Sequence, residues 1–270
     1  MTIPFQKYQG TGNDFVLIDQ RTEQYFTRND TDQIQRICDR RFGVGADGLI
    51  LLQNKEGYDF EMIYFNADGR ESSMCGNGGR CIVAFAKYLG IIEMNKGGLP
   101  SASTHFLAID GPHEATTKGA DWVSLKMTDV PEVEQGPDYF VMNTGSPHYV
   151  VFVEDIDDID VVENGKAIRY SKRFREEGIN VNFVEKKKDG IIVATYERGV
   201  EDETLSCGTG ATAASIAYQM SKSVNQETVT SIEVKGGELS VKFTPDGKGG
   251  AKNIWLQGKA TRVFAGKLER

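Results

Sequence analysis

Cys75-Gly76-Asn77-Gly78-Gly79 and Cys207-Gly208-Thr209-Gly210-Ala211 each put a thiol directly ahead of a glycine-rich run that passes into helical apolar periodicity. Ile82, Val83, Phe85, Ala86 and Leu89 share one face after the first cysteine; Ala213, Ala214, Ile216, Ala217 and Met220 do so after the second. The first turn of a helix carries N–H groups without intrahelical partners and the positive end of the helix dipole, so a thiol there is acidified and a carboxylate is attracted. The glycines let a ligand approach the backbone closely. Two such thiols acting on opposite faces of one carbon could invert it, a thiolate removing a proton while a thiol delivers another. That chemistry needs neither metal nor cofactor, and the helix termini would stabilise the charge that develops on an adjacent carboxylate.

The remaining cysteines and the histidines point elsewhere. Cys38 and Cys81 sit among apolar neighbours and read as small core residues. His105, His113 and His148 have no metal-ligand spacing with one another, and Cys75 with Cys81 is not half of a zinc knuckle, so no metal site is expected. Four cysteines in 270 residues are too few for a disulfide scaffold. A dithiol that cycles with a disulfide, or a metal-binding module, stays open as a reading from another functional class.

The segments that position the two cysteines recur. Thr11-Gly12-Asn13 is echoed by Thr144-Gly145-Ser146, Arg40-Arg41-Phe42 by Lys172-Arg173-Phe174, and the first cysteine motif by the second, at shifts of 133, 132 and 132 residues. Three collinear echoes at one offset indicate an internal duplication. Ahead of each cysteine lies a strand pattern, Tyr58 to Tyr64 and Ile191 to Tyr196, followed by a turn-prone stretch, Asn66-Ala67-Asp68-Gly69 and Arg198-Gly199. Ile232 to Lys235, Gly236-Gly237 and Glu238 to Phe243 read as a hairpin, and Gly90 as the stop of the first helix. The expected class is α+β, with two similar domains, each a mixed sheet wrapped around a central helix. The soft polar segments Thr116 to Asp121 and Gln135 to Asp138 are the candidate breaks, which gives an N-terminal half 1–118 and a C-terminal half 119–262.

Composition narrows the partners. With 31 basic against 39 acidic residues and a net charge of -8, no broad cationic surface is available for nucleic acid. No stretch approaches a membrane-spanning length, and Met1 to Lys7 lacks the pattern of a secretion signal, so a cytoplasmic protein is expected.

Taken in order, the motifs Gly10-Thr11-Gly12-Asn13-Asp14-Phe15, Arg41-Phe42-Gly43-Val44-Gly45-Ala46-Asp47-Gly48, Phe65-Asn66-Ala67-Asp68-Gly69, Met74 to Cys81, Gly145-Ser146-Pro147-His148, Asn180-Val181-Asn182-Phe183, Tyr196-Glu197-Arg198-Gly199 and Cys207 to Ala211 resemble those of the diaminopimelate epimerases. The resemblance covers nearly the whole chain. It implies epimerisation of LL-2,6-diaminopimelate to the meso form, a step supplying lysine and peptidoglycan precursors, with no cofactor and commonly in a homodimer. It also implies two barrel-like domains, with 263–270 returning to the first.

By the same resemblance Cys75 and Cys207 are the acid/base thiols, and Gly76, Asn77, Gly208 and Thr209 the helix-mouth donors to the reacting carboxylate. Asn13, Asn66, Ser146, Asn182, Glu197 and Arg198 match substrate-binding positions, Arg198 suiting the distal carboxylate. His148 and Glu197 match groups that orient the substrate or tune the thiols. Two positions depart from the family pattern. Ser146 stands where many members carry asparagine, and Gly48 where some carry glutamine. Both bear on substrate identity rather than on thiol chemistry, so a related racemase of histidine or a proline derivative remains the alternative.

Overall fold

The computed structural model describes residues 2–92 and 101–269. The chain forms two compact units, Met1–Leu125 with Gly258–Arg270, and Lys126–Gln257.

In the first unit β1 (Thr2–Gly10) and β2 (Asn13–Asp19) form an antiparallel hairpin whose turn uses left-handed Thr11 and Gly12. Helix α1 (Thr31–Cys38) crosses to β3 (Gly48–Gln53), parallel to β2; β4 (Phe60–Asn66) returns antiparallel. Helix α2 (Gly76–Tyr88) follows Cys75, and β5 (Ser101–Ala108) joins β4 in parallel before the meander β6 (Gly111–Lys118) and β7 (Trp122–Lys126).

The second unit repeats the plan. After the short β8 (Val133–Gln135), β9 (Tyr139–Asn143) pairs antiparallel with β10 (Pro147–Val153) around left-handed Gly145. Helix α3 (Val161–Arg169) crosses to β11 (Asn180–Lys187), parallel to β10, and β12 (Gly190–Glu197) returns antiparallel. The short β13 (Asp202–Thr204) precedes Cys207 and α4 (Gly208–Ser221). Then β14 (Thr228–Val234) joins β12 in parallel, followed by β15 (Gly237–Pro245) and β16 (Ala251–Lys259). A last strand, β17 (Thr261–Glu269), pairs antiparallel with β1 from Thr2↔Glu269 to Gln9↔Thr261.

Alternation along each strand sends side chains to two helices. Val16, Ile18, Leu49 and Leu51 pack with Ile34, Ile37 and Cys38 on the α1 side, leaving Phe15, Leu17 and Ile50 for the α2 side. Val181, Phe183 and Tyr196 pack with Val161 on the α3 side, leaving Asn180, Asn182 and Thr195 for α4. Helices α2 and α4 are therefore central: every residue from Gly76 to Ala86 is buried, and in α4 every residue from Gly210 to Gln219. Gly90 ends the first one in a left-handed conformation (φ 73°).

Three details differ from the sequence reading. The soft segment Thr116 to Asp121 lies inside the first unit, because Thr116, Thr117 and Lys118 pair with Ser124, Val123 and Trp122 and only Gly119-Ala120-Asp121 turn. Gln135 to Asp138 is likewise the β8–β9 turn, closed by the Gly136 N–H on the Tyr139 carbonyl at 2.9 Å. The units accordingly meet at Leu125/Lys126 and Gln257/Gly258, not at 118/119 and 262/263: turn-forming composition marks hairpins as well as linkers. In the β14–β15 hairpin, Val234 pairs with Gly237, so the turn residues are Lys235-Gly236, one place earlier than Gly236-Gly237.

Candidate active site

Cys75 and Cys207 occupy the same structural position, the N-cap of a central helix. Both have extended backbone (φ -87°, ψ 134° and φ -115°, ψ 110°), and their carbonyls accept the first helical bonds, from Gly79 at 2.7 Å and Ala211 at 2.8 Å. The extended cap turns each thiol out of the helix, while the following N–H groups of Gly76-Asn77 and Gly208-Thr209 belong to the first turn. Gly78 and Gly210 let these turns lie on the sheet: a Cβ at Gly210 would fall 2.4 Å from Asn182 Oδ1, and one at Gly78 3.3 Å from Ile50. The other two thiols are interior: Cys38 and Cys81 are buried, and burial pushes both up to about 12.

Around Cys75, the Sγ lies 3.6 Å from Asn13 Oδ1, which also accepts from Asn77 Nδ2 at 3.3 Å. Asn13 is oriented by its Nδ2, which donates to Asp47 at 2.5 Å. Asp47 and Asp14 are bound by Arg40 (2.7 Å to each), and Asp14 also by Lys7 at 2.8 Å. Burial alone would raise Asp14, but hydrogen bonds and charge from Arg40 and Lys7 overcome it and hold the carboxyl at about 2. Behind Asn77 the fully buried Arg80 donates to Thr11 Oγ1 at 3.1 Å, Asn77 Oδ1 at 3.0 Å and the Gly76 carbonyl at 3.3 Å. Asn66 ends β4 in an exposed turn, its carbonyl accepting from Gly69 N at 2.9 Å, and pairs with Gly48 of β3, the residue after Asp47.

Around Cys207, Sγ lies 3.5 Å from Thr209 Oγ1, and Thr209 Oγ1 lies 2.9 Å from His148 Nε2. Asn182 is pinned on both sides: Nδ2 donates to the Tyr149 carbonyl and His148 Nδ1, each at 3.0 Å, and Oδ1 accepts from Thr195 at 3.0 Å. Nδ1 of His148 is therefore an acceptor and Nε2 carries the proton toward Thr209. Burial pushes this histidine from 6.5 down to about 3, so it is a neutral link in the chain Asn182, His148, Thr209, Cys207. Glu197 is pushed up by burial, against the opposing pull of Thr204 and the Cys207 thiol beside it. Thr144 Oγ1 ties the hairpin turn to the Thr209 carbonyl at 2.9 Å. Ser146 accepts from Asn180 Nδ2 at 2.8 Å, and Asn180 Oδ1 receives the backbone N–H of Arg198 at 2.8 Å. The exposed Arg198 guanidinium reaches the Glu177 carbonyl at 2.9 Å.

Of the residues singled out by sequence, Asn13, Asn77 and Cys75 meet in one cluster, and Ser146, His148, Asn182, Glu197, Thr209 and Cys207 belong to the other. Arg80, Thr11, Asp47, Thr144, Asn180 and Thr195 build the site without being among the sequence candidates. Arg80 did carry a signal, being a charged residue between the glycine run and the apolar stretch Cys81 to Ala86. Gly48 has a packing reason: a Cβ there would stand 2.4 Å from the Phe65 carbonyl oxygen and 2.6 Å from the Tyr64 ring, so no side chain fits. Among the described residues no group of three or more His, Cys, Asp or Glu side chains could hold a metal ion, and no helix is long and apolar enough to cross a membrane.

The fold recurs at low sequence identity in a PhzF-family phenazine biosynthesis protein of Bacillus anthracis (TM-score 0.75, 15% identity, covering 100% of both chains). It recurs too in a probable proline racemase of Agrobacterium radiobacter (TM-score 0.71, 16% identity, 99% and 93% covered). Sequence comparison is closer. The chain is 51% identical over 259 residues to a diaminopimelate epimerase of Flavobacterium psychrophilum, covering 96% of this chain and 97% of the relative. It is 39% identical over 282 residues to one of Aquifex aeolicus, covering 98% and 97%. The diaminopimelate epimerase family model matches residues 5–99 and 140–263, so the chain belongs to the diaminopimelate epimerase family.

Proposed function

We propose that the chain interconverts LL- and meso-2,6-diaminopimelate by proton transfer between two thiols, Cys75 and Cys207, without a cofactor. The observation that carries this reading is the pair of N-cap cysteines, each heading a buried helix in one copy of a duplicated unit. In one direction a thiolate takes the α-proton while the thiol of the other cysteine donates its own to the opposite face. The number of protons is conserved, and the two sulfurs exchange protonation states. The α-carboxylate, which takes up charge as the proton leaves, is received by the N–H groups of Gly76-Asn77 and Gly208-Thr209.

The remaining residues divide by what their polar atoms have left to offer. Asn182 and His148 spend their donors inside the protein, so they position Thr209 and through it Cys207. Glu197 lies beside the Cys207 thiol and suits tuning it or meeting the substrate ammonium. Exposed Asn66 and Arg198 suit the substrate's outer groups, Arg198 pairing with the distal carboxylate. Asn13 aligns Asn77 with Cys75, and Ser146 is held by Asn180. A cytoplasmic homodimer is supported by the family resemblance, and sedimentation at micromolar concentration tests the dimer.

Incubation with LL-diaminopimelate in deuterated water tests the activity. The expected result is α-proton exchange and convergence on one LL/meso mixture from either isomer. Exchange into histidine or hydroxyproline, with none into diaminopimelate, would overturn the substrate. Full activity after oxidative joining of Cys75 to Cys207, or its loss to a chelator, would overturn the thiol mechanism in favour of a redox or metal module.

A further inference from the structure

Arg80 stands out because nothing balances its charge. It has 0% exposure, and its acceptors, Thr11 Oγ1, Asn77 Oδ1 and the Gly76 carbonyl, are all neutral. Its Nε is buried without a partner. Among the described residues no carboxylate stands within ion-pair distance of it. The acids of the neighbouring strand and loop, Asp14 and Asp47, are already matched by Lys7 and Arg40, two negative charges against two positive. A guanidinium does not shed its proton in a protein, so burial leaves an uncompensated cation under the first turn of α2.

Two groups near it can become anions. Burial works against the Arg80 charge, while the proximity of Cys81 and Cys75 favours it. Cys81 is fully buried and held as a thiol by a pKa of about 12. Cys75 is only half-buried and caps the helix whose first carbonyl, that of Gly76, Arg80 holds.

The second copy lacks this charge. A shift of 132 residues maps Arg80 onto Thr212, whose Oγ1 bonds the equivalent carbonyl, that of Gly208, at 3.0 Å. Near Cys207 the titratable groups are instead the Glu197 carboxyl and neutral His148, with Arg198 directed to the Glu177 carbonyl. An ionised carboxyl beside Cys207 disfavours a thiolate there, whereas on the Cys75 side the matched set of Asp14, Asp47, Lys7 and Arg40 leaves Arg80 unmatched, and the Asp110 carboxylate, bonded to the Met74 N–H, is faced by His113 at 3.2 Å. The Asn13 oxygen near Cys75 favours the thiol, but it is a neutral dipole at 3.6 Å set against a full buried charge.

We infer that Arg80 is the positioning residue and buried counter-charge of Cys75: it aligns Thr11 and Asn77 at the helix mouth and makes Cys75 the thiol that ionises first. This deepens the two-thiol reading and rests on it.

Peptide-resolved alkylation by iodoacetamide across pH reads each thiol separately. In the wild-type protein Cys75 reacts with a midpoint about one pH unit or more below that of Cys207. In Arg80→Met the Cys75 midpoint rises by about one unit or more and that of Cys207 stays in place. Arg80→Met also raises KM, and Arg80→Lys restores the midpoint while KM stays raised, because an ammonium keeps the charge without the fork that holds Asn77. A Cys207 midpoint below that of Cys75 in the wild-type protein overturns the inference, whether or not the Arg80 variants fold. An unmoved Cys75 midpoint in folded Arg80→Met does so too. Failure of the two-thiol reading registers separately, as proton exchange that survives Cys75→Ser.

Discussion

The two cysteine-bearing units share a plan and divide their polarity in opposite ways. Strand register aligns Phe15, Gly48, Ile50 and Tyr64 of the first with His148, Asn180, Asn182 and Thr195 of the second. In the first unit the sheet face under the helix is apolar, with Phe15 and Tyr64 meeting edge-on at 5.9 Å, and the polar groups belong to the helix and hairpin: Asn77, Arg80 and Thr11. In the second unit the helix carries small residues, and the polar chain rises from the sheet through Asn182 and His148. One backbone thus orients a thiol from two sides. Under the proposed two-thiol mechanism, this divergence gives the two sulfurs different acidities.

The sharpest way to break the comparison is to remove either sulfur. Cys75→Ala and Cys207→Ala should each lower proton exchange by roughly a hundredfold or more with unchanged circular dichroism, since each deletes one proton carrier. Wild-type exchange in either variant would dissolve the functional equivalence of the two caps.

Next in size, giving the second unit the residue of the first should fail. Asn182→Ile strands His148 Nδ1, the Tyr149 carbonyl and the Thr195 hydroxyl, and should cost about 3 kcal/mol or more in urea unfolding. The converse, Ile50→Asn, buries an amide among Phe15 and Tyr64 and should cost about 2 kcal/mol. Equal stability of Asn182→Ile and wild type would refute the relay.

The two units should also differ in acid. His148 is depressed from 6.5 to about 3, so its contribution is complete above 6.5 and is lost as pH falls through about 3. Asp14 is depressed from 3.8 to about 2, so its contribution disappears only as pH falls through about 2. Glu197, raised by burial, acts in the other sense: its contribution is complete below the ordinary 4.5 and is lost as pH rises through its raised value. Trp122 lies in the first unit and Trp255 in the second, so Trp255→Phe and Trp122→Phe variants isolate one fluorescence signal each. The Trp255 signal should begin to change at higher pH than the Trp122 signal, and Glu197→Gln, which fixes the side chain in its neutral form, should leave that acid onset in place while raising stability near neutral pH. Coincident transitions would show that these groups do not set acid stability.

The smallest effect belongs to the surface. The Arg173–Glu134 pair, 2.5 Å apart and nearly half exposed on both sides, should change stability by no more than about 1 kcal/mol in Glu134→Gln.

Much of this is legible in the sequence. Both central helices, their cysteine caps, the flanking strands and the duplication follow from periodicity and repeated motifs, which are local properties of the chain. The domain limits were less legible, because Gly119-Ala120-Asp121 and Gly136-Pro137 have the composition of linkers and are used as hairpin turns. Sequence motifs mark Asn182 for the substrate and His148 for orienting it or tuning the thiols; the partners of their donors, Tyr149 and His148 for Asn182 and Thr209 for His148, come from strands and a helix distant in the chain.

By itself the chain determined where helices begin, which thiols cap them, and that the plan occurs twice, because those depend on neighbours within one turn or one strand. Only tertiary structure decided which charges are matched. Arg40 meets Asp14 from 26 positions away, Arg80 meets Thr11 from 69, and His148 meets Thr209 from 61. Burial and charge pairing are properties of the folded neighbourhood, so the same cysteine-glycine motif acquires a cation in one copy and a carboxyl in the other.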